Sequence, residues 1–188
     1  MFPPTPRSRR RPTLLLAPVA LLIAVIVGLV VAARDGGHDD HLGDVRAATA
    51  AFHSVHAAEK AGYQRFLDVD GIACIAQPGQ GAMGVHYVDQ AKVGDDILDP
   101  RHPEAVLYAP TKAGPKLAAV EYVVLQSTWD AHHSAPPHLF GQTFMLAPAG
   151  NRFGLPAYYS LHAWAWQHNP AGTFEMWNPD VHCEDWTG

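Results

Sequence analysis

Acidic residues are missing from the first 34 positions of this 188-residue chain, and charge of either sign is missing from residues 14–33. Four arginines (Arg7, Arg9, Arg10, Arg11) precede that stretch. The other nine Lys/Arg follow it, with all 18 Asp/Glu and all 12 histidines, so the remainder carries −9 with histidine neutral. That layout argues against a cytosolic protein. It also argues against a nucleic-acid partner, which needs basic surface to neutralise phosphates. Cysteine is nearly absent: Cys74 and Cys183 stand alone, neither with the close second cysteine of a thiolate metal cluster. There is no Walker A loop, no G-x-S-x-G elbow, no H-E-x-x-H pair and no internal repeat.

What is present begins with the leader. Residues 14–33 are long enough, as a helix rising 1.5 Å per residue, to span a hydrocarbon core of about 30 Å. The basic residues 1–13 would then stay cytoplasmic and the acidic part would face outward, so the membrane is a partner through this helix. The competing reading is a secretory signal peptide cut after Val31-Ala32-Ala33. Both put the rest of the chain outside the cytoplasm, anchored at the cell membrane or secreted. Residues 34–44 are polar, without an apolar period, and are expected to form a linker; residues 45–188 suit a single domain. In an oxidising compartment Cys74 and Cys183 are expected to pair. The pairing closes a loop of about 110 residues, worth about 4–5 kcal/mol in the chain-entropy model.

Residues 45–62 are Ala-rich, free of proline and end at Gly62, which predicts a helix. At 100° per residue Val45, Ala48, Phe52 and Val55 share a stripe, with Glu59 inside it and His56 on its edge. Beyond Gly62, Pro and Gly recur at short intervals and punctuate strands at 72–76, 83–88, 105–109, 116–126, 142–147 and 157–167. The fold class is α+β: one N-terminal helix packed on a mainly antiparallel sheet that can curl into a barrel. Gly79-Gln80-Gly81-Ala82-Met83-Gly84 matches G-x-G-x-x-G, but it leads into a strand and not a helix, which excludes a dinucleotide loop.

Several segments together resemble an uncharacterised family of secreted or membrane-anchored bacterial proteins. They are Gly81-Ala82-Met83-Gly84-Val85-His86-Tyr87-Val88, Leu98-Asp99-Pro100 with Pro103-Glu104, and Val120-Glu121-Tyr122. Leu139-Phe140-Gly141-Gln142, Leu161-His162-Ala163-Trp164, Asn169-Pro170 and Trp177-Asn178-Pro179 complete the set. The resemblance spans roughly residues 57–183 and implies a small extracytoplasmic domain, with no activity attached.

Alternation along the strands supplies the chemistry. In 117–125 both faces are apolar, so the strand is central, and Glu121 sits in the middle of one face. A lone buried carboxylate is costly and needs a histidine, an arginine or a metal. His162 lies mid-strand among Tyr158, Ser160, Trp164 and Trp166, and His86 lies mid-strand between Gly84 and Val88. If the three face one interior, His86, Glu121 and His162 form a two-His-one-carboxylate set for a divalent metal such as Zn, Cu or Fe. His56 or Glu59 from the helix is expected to complete or gate it, and Tyr87 or Tyr122 to stand nearby as hydrogen-bond donors. Two other readings stay open. One is a non-catalytic module holding a small apolar ligand in a pocket of Tyr122, Tyr158, Trp164 and Trp166. The other is a structural cluster in which Glu121 accepts hydrogen bonds from His86 or His162, or pairs with Arg65, Arg101 or Arg152.

Overall fold

The computed structural model describes residues 36–188, with the side chains of the first helix described from Leu42 onward. The expected cytoplasmic segment 1–13 and the anchor or signal peptide 14–33 lie outside the described residues. Among the described residues no helix is long and apolar enough to cross a membrane.

The predicted single helix is three pieces: α1 (Gly36–Thr49), a 3-10 turn (Ala50–His53) and α2 (Val55–Lys60). The break falls at Ser54, whose backbone is extended (φ −91°, ψ 115°) and whose hydroxyl accepts from the Ala57 N–H at 3.3 Å, starting a new helix. The segment expected to be a linker is therefore helical from Gly36. The buried stripe is also displaced. Leu42, Val45 and Thr49 are buried, whereas Ala48 and Glu59 are exposed. Thr49 is accommodated because its hydroxyl donates to the Val45 carbonyl (2.7 Å) and accepts from Trp166 Nε1 (3.0 Å).

The strands are β1 (Gln64–Arg65), β2 (Cys74–Gln77), β3 (Gly81–Val88), β4 (Ala105–Ala109) and β5 (Lys116–Leu125). They continue with β6 (His138–Leu139), β7 (Gln142–Thr143), β8 (Met145–Ala147) and β9 (Tyr158–Ala163). Two short helices, α3 (Gln90–Val93) and α4 (Gln126–Asp130), sit in the connections. The main sheet runs β1-β3-β4-β5-β9-β8, with β2 beside β1 on the same edge of β3, and all its pairs are antiparallel. β6 and β7 form a separate hairpin.

The sheet is open, not a barrel. Its outer strands β1 and β8 are two and three residues long, too short to close on each other. The chain after β9 covers the sheet instead. Trp164 N–H bonds the Thr173 carbonyl (2.9 Å), so the strand expected to reach residue 167 ends at Ala163. The tail then pairs Asn178 with Ala82 of β3 and ends in the Cys74–Cys183 disulfide, as the cysteine count led us to expect.

One face of the sheet, bearing Val85, Tyr87, Val106, Tyr108, Val120 and Tyr122, packs on Leu42, Val45 and Ala58 of the helices. The other, bearing Ala105, Leu107 and Ala119, is covered by Phe153, Met176 and Trp177 from loops. Two bulges adjust which residues reach it. One lies opposite Leu107/Tyr108 and puts Ala118 and Ala119 on the same side. The other lies opposite Ile75/Ala76 and does the same for Ala82 and Met83. The glycine motif serves this second bulge: Gly79, Gly81 and Gly84 all have positive φ. A Cβ on Gly84 would overlap the Tyr108 carbonyl oxygen, and one on Gly81 the Asn178 carbonyl oxygen.

Candidate metal centre

His86, Glu121 and His162 come from β3, β5 and β9 and meet on the loop-covered face, 3%, 7% and 3% exposed. Glu121 and His162 are direct cross-strand partners. His86 is two strands away from Glu121, about 9–10 Å at the usual spacing between strands. The side chains bridge it across β4 because the β4 residue opposite Glu121 is Ala105, too small to block them. His86 Nε2 then lies 3.5 Å from Glu121 Oε2, and His162 Nδ1 lies 3.7 Å from Glu121 Oε1.

One ligand atom from each residue falls within 4.8 Å of the other two. Ligands at 2.0–2.2 Å around a tetrahedral ion stand about 3.3–3.6 Å apart, so the 3.5 Å separation falls within that range and the 3.7 Å separation just beyond it. Hydrogen bonding leaves the imidazoles incomplete: His86 Nδ1 and Nε2 and His162 Nε2 are buried without a partner. Each such atom ordinarily costs about 1–3 kcal/mol. Burial pushes both imidazoles down to about 4, and for His86 the Glu121 charge opposes this. Burial pushes the Glu121 carboxyl up, against the pull of His86 and of the Ser160 hydroxyl that bonds it. Both histidines are thus neutral, the form that ligates a metal.

The group lies between two cavities. The first, about 260 Å³, is lined by His86, Glu121 and a mainly apolar wall of Phe66, Val88, Val93, Val123, Leu125 and Leu155. The second, about 230 Å³, is lined by Glu121, His162, Ser160, Met83, Met145 and Met176. Phe153 and Tyr158 border both. The buried His-Glu-His group can therefore hold a metal with coordination positions left for a further ligand.

His56 does not join it. It sits on α2, its side chain 74% exposed and 4.0 Å from Glu59, and α2 packs on the opposite face of the sheet. Tyr87 and Tyr122 are on that helix-covered face too, and the Tyr122 hydroxyl donates to the Pro100 carbonyl (2.8 Å). The expected four-residue aromatic pocket is not assembled. Trp164 donates to the Glu175 carbonyl (2.7 Å) and Trp166 to Thr49, on different core clusters, which leaves Tyr158 as the one that lines the cavities. The arginines offered as partners of Glu121 are engaged elsewhere: Arg152 with Asp68 (2.6 Å), Arg101 with Asp44 (3.1 Å), Arg65 against Trp186.

Sequence reasoning missed Ser160, although its place two residues before His162 on one strand face was legible. It missed Phe153 and the methionines, which come from loops, a bulge and an edge strand. It also missed Glu104, buried immediately before the first residue of β4 and accepting from the Val123 N–H at 3.0 Å. Compared with family models, curated proteins and solved structures, the chain gives no match in any of the three.

Proposed function

We propose that this is an extracytoplasmic metal-binding domain in which His86, Glu121 and His162 hold one divalent ion. The observation that carries the reading is that His86 Nε2 and His162 Nδ1 both face the one buried carboxylate of Glu121, and that His86 Nε2 is buried there without a hydrogen-bond partner. A folded core does not ordinarily keep such an atom unpaired, and a cation held between the three side chains would satisfy it. Two neutral imidazoles and a carboxylate suit Zn, Cu or non-haem Fe(II), with a further position open to the cavities. The basic and apolar first 33 residues and the Cys74–Cys183 disulfide, a bond that forms and persists in oxidising compartments, support that location. Metal analysis of the full chain, purified without chelators, tests the reading. The expected result is one ion per chain in the wild type and loss of that ion in Glu121→Gln and His162→Ala. A wild type devoid of metal defeats it.

The second reading, a small apolar ligand, is supported by the 260 Å³ cavity, whose wall is mainly apolar and which ends on His86 and Glu121. Its volume exceeds the roughly 150 Å³ of a cavity known to take benzene. Indole and benzene derivatives are expected to raise the melting temperature of the chain, and Val123→Phe, which fills the cavity, to abolish that shift.

A further inference from the structure

The two cavities differ in a way that packing does not require. Met83, Met145 and Met176, all the methionines among the described residues, line the cavity on the His162 side, and none lines the other. They arrive from unrelated parts of the chain. Met83 comes from β3 and reaches this face only through the bulge. Met145 belongs to the edge strand β8, opposite Ser160 in register. Met176 comes from the tail segment held by Asn169 and Asn178, whose side chains donate to the Trp177 and His168 carbonyls (both 3.0 Å). Met83 is buried while Met145 is 53% exposed, so the thioethers run from solvent into the interior. A methionine at the exposed position gains little from burial.

His162 belongs to both environments. It lines this cavity, its Nδ1 faces the Glu121 carboxylate, and its Nε2 is buried without a partner. Thioether sulfur is a soft donor that selects Cu(I), and imidazole accepts copper in either oxidation state. Zinc, iron and the hard oxygen-seeking cations gain much less from methionine. We propose that the methionine-lined cavity is a cuprous-copper site, with Met83, Met145 and Met176 as thioether donors and His162 as the imidazole. Cu(II) is then the divalent ion that the adjoining His-Glu-His group takes, and the methionine-lined cavity takes copper supplied already as Cu(I), so that no electron transfer within the chain is invoked. This inference rests on the metal-binding reading above and names its metal.

The test titrates the full chain anaerobically with Cu(I) against bicinchoninate, and separately with Zn(II) against a chromophoric indicator. The comparison is with the triple variant Met83→Leu/Met145→Leu/Met176→Leu. Leucine conserves volume, so the fold is expected to survive. Met145→Leu alone, at an exposed position, serves as a second variant should the triple one unfold. The wild type is expected to bind Cu(I), and the triple variant to bind it at least about tenfold more weakly, with Zn(II) affinity unchanged. Met145→Leu should weaken Cu(I) in the same direction. Unchanged Cu(I) affinity in the folded methionine variants, with Zn(II) still bound, overturns the copper assignment and leaves the metal group standing. A wild type that binds neither ion overturns both.

Discussion

Glu121 carries the candidate site because it is the one acid among two imidazoles with no arginine committed to it. Glutamine has the same shape without the charge. Because burial already pushes the Glu121 carboxyl up toward its neutral form, Glu121→Gln is expected to change the metal-free stability by less than about 1 kcal/mol while abolishing the proposed metal binding. Thermal unfolding in chelator, paired with metal analysis, separates the two effects, and a variant that unfolds with its metal would point to a structural cluster. Glu104 is a different case. Burial pushes its carboxyl up to about 8 from an ordinary 4.5, against the bond from Val123 N–H. The folded state therefore keeps a proton that the unfolded state releases. Its contribution to stability is full below about 4.5 and is lost as pH rises to about 8, a few kcal/mol in all. Glu104→Gln is expected to flatten that part of the stability profile in urea titrations at successive pH values. His86, Glu121 and His162 were legible from sequence because one polar residue in an apolar strand is a local signal. Glu104 was not, since Pro103 beside it reads as a loop and its burial depends on β5 arriving from elsewhere.

At the scale of the element, the instructive positions are the glycines of the 79–84 run. Gly84 has φ +91° and its missing Cβ makes room for the Tyr108 carbonyl, while Gly79 has φ +78° in open space. Gly79→Ala should cost about 1 kcal/mol, and Gly84→Ala distinctly more because backbone overlap adds to the strain. The melting-temperature difference between the two variants measures the bulge, and equal losses would remove its special standing. The hairpin of β4 and β5 was readable to within a residue because its loop, Pro110 to Pro115, uses turn chemistry. The bulges were not. Strict alternation assigns Met83 to the face of Val85 and Tyr87, and only pairing with β2 turns it to the other side. Likewise the break at Ser54 is invisible to a stripe drawn at 100° per residue, because a capping hydroxyl competes with helix continuation only where packing lets the chain bend.

Across the whole molecule, the tail after Ala163 does what barrel closure would otherwise do. It crosses the loop-covered face, pairs Asn178 with Ala82 and is fastened by Cys74–Cys183, 109 residues apart. Replacing both cysteines by serine is expected to lower stability by about 4–5 kcal/mol on the chain-entropy model. The tail is expected to become the first segment cut by protease. Unchanged denaturant midpoint and protease pattern would show that packing alone holds it. Since Met176 rides on this tail, the variant should also disturb the methionine-lined cavity more than the apolar one.

The sequence by itself determined the charge asymmetry between the first 34 residues and the rest, the α+β class, the main hairpins, the cysteine pair and the three polar residues at mid-strand. All of these rest on local period, turn chemistry or composition. The tertiary structure alone decided which side chains meet. Ala105 lets Glu121 reach over β4, bulges reverse the alternation for Leu117 and Met83, and α2 settles on the far face and carries His56 away. The physical reason is that a strand's period assigns residues to faces only while the period is unbroken. Nothing in it states which strands become neighbours, how far a side chain can reach across them, or which loops will cover the face.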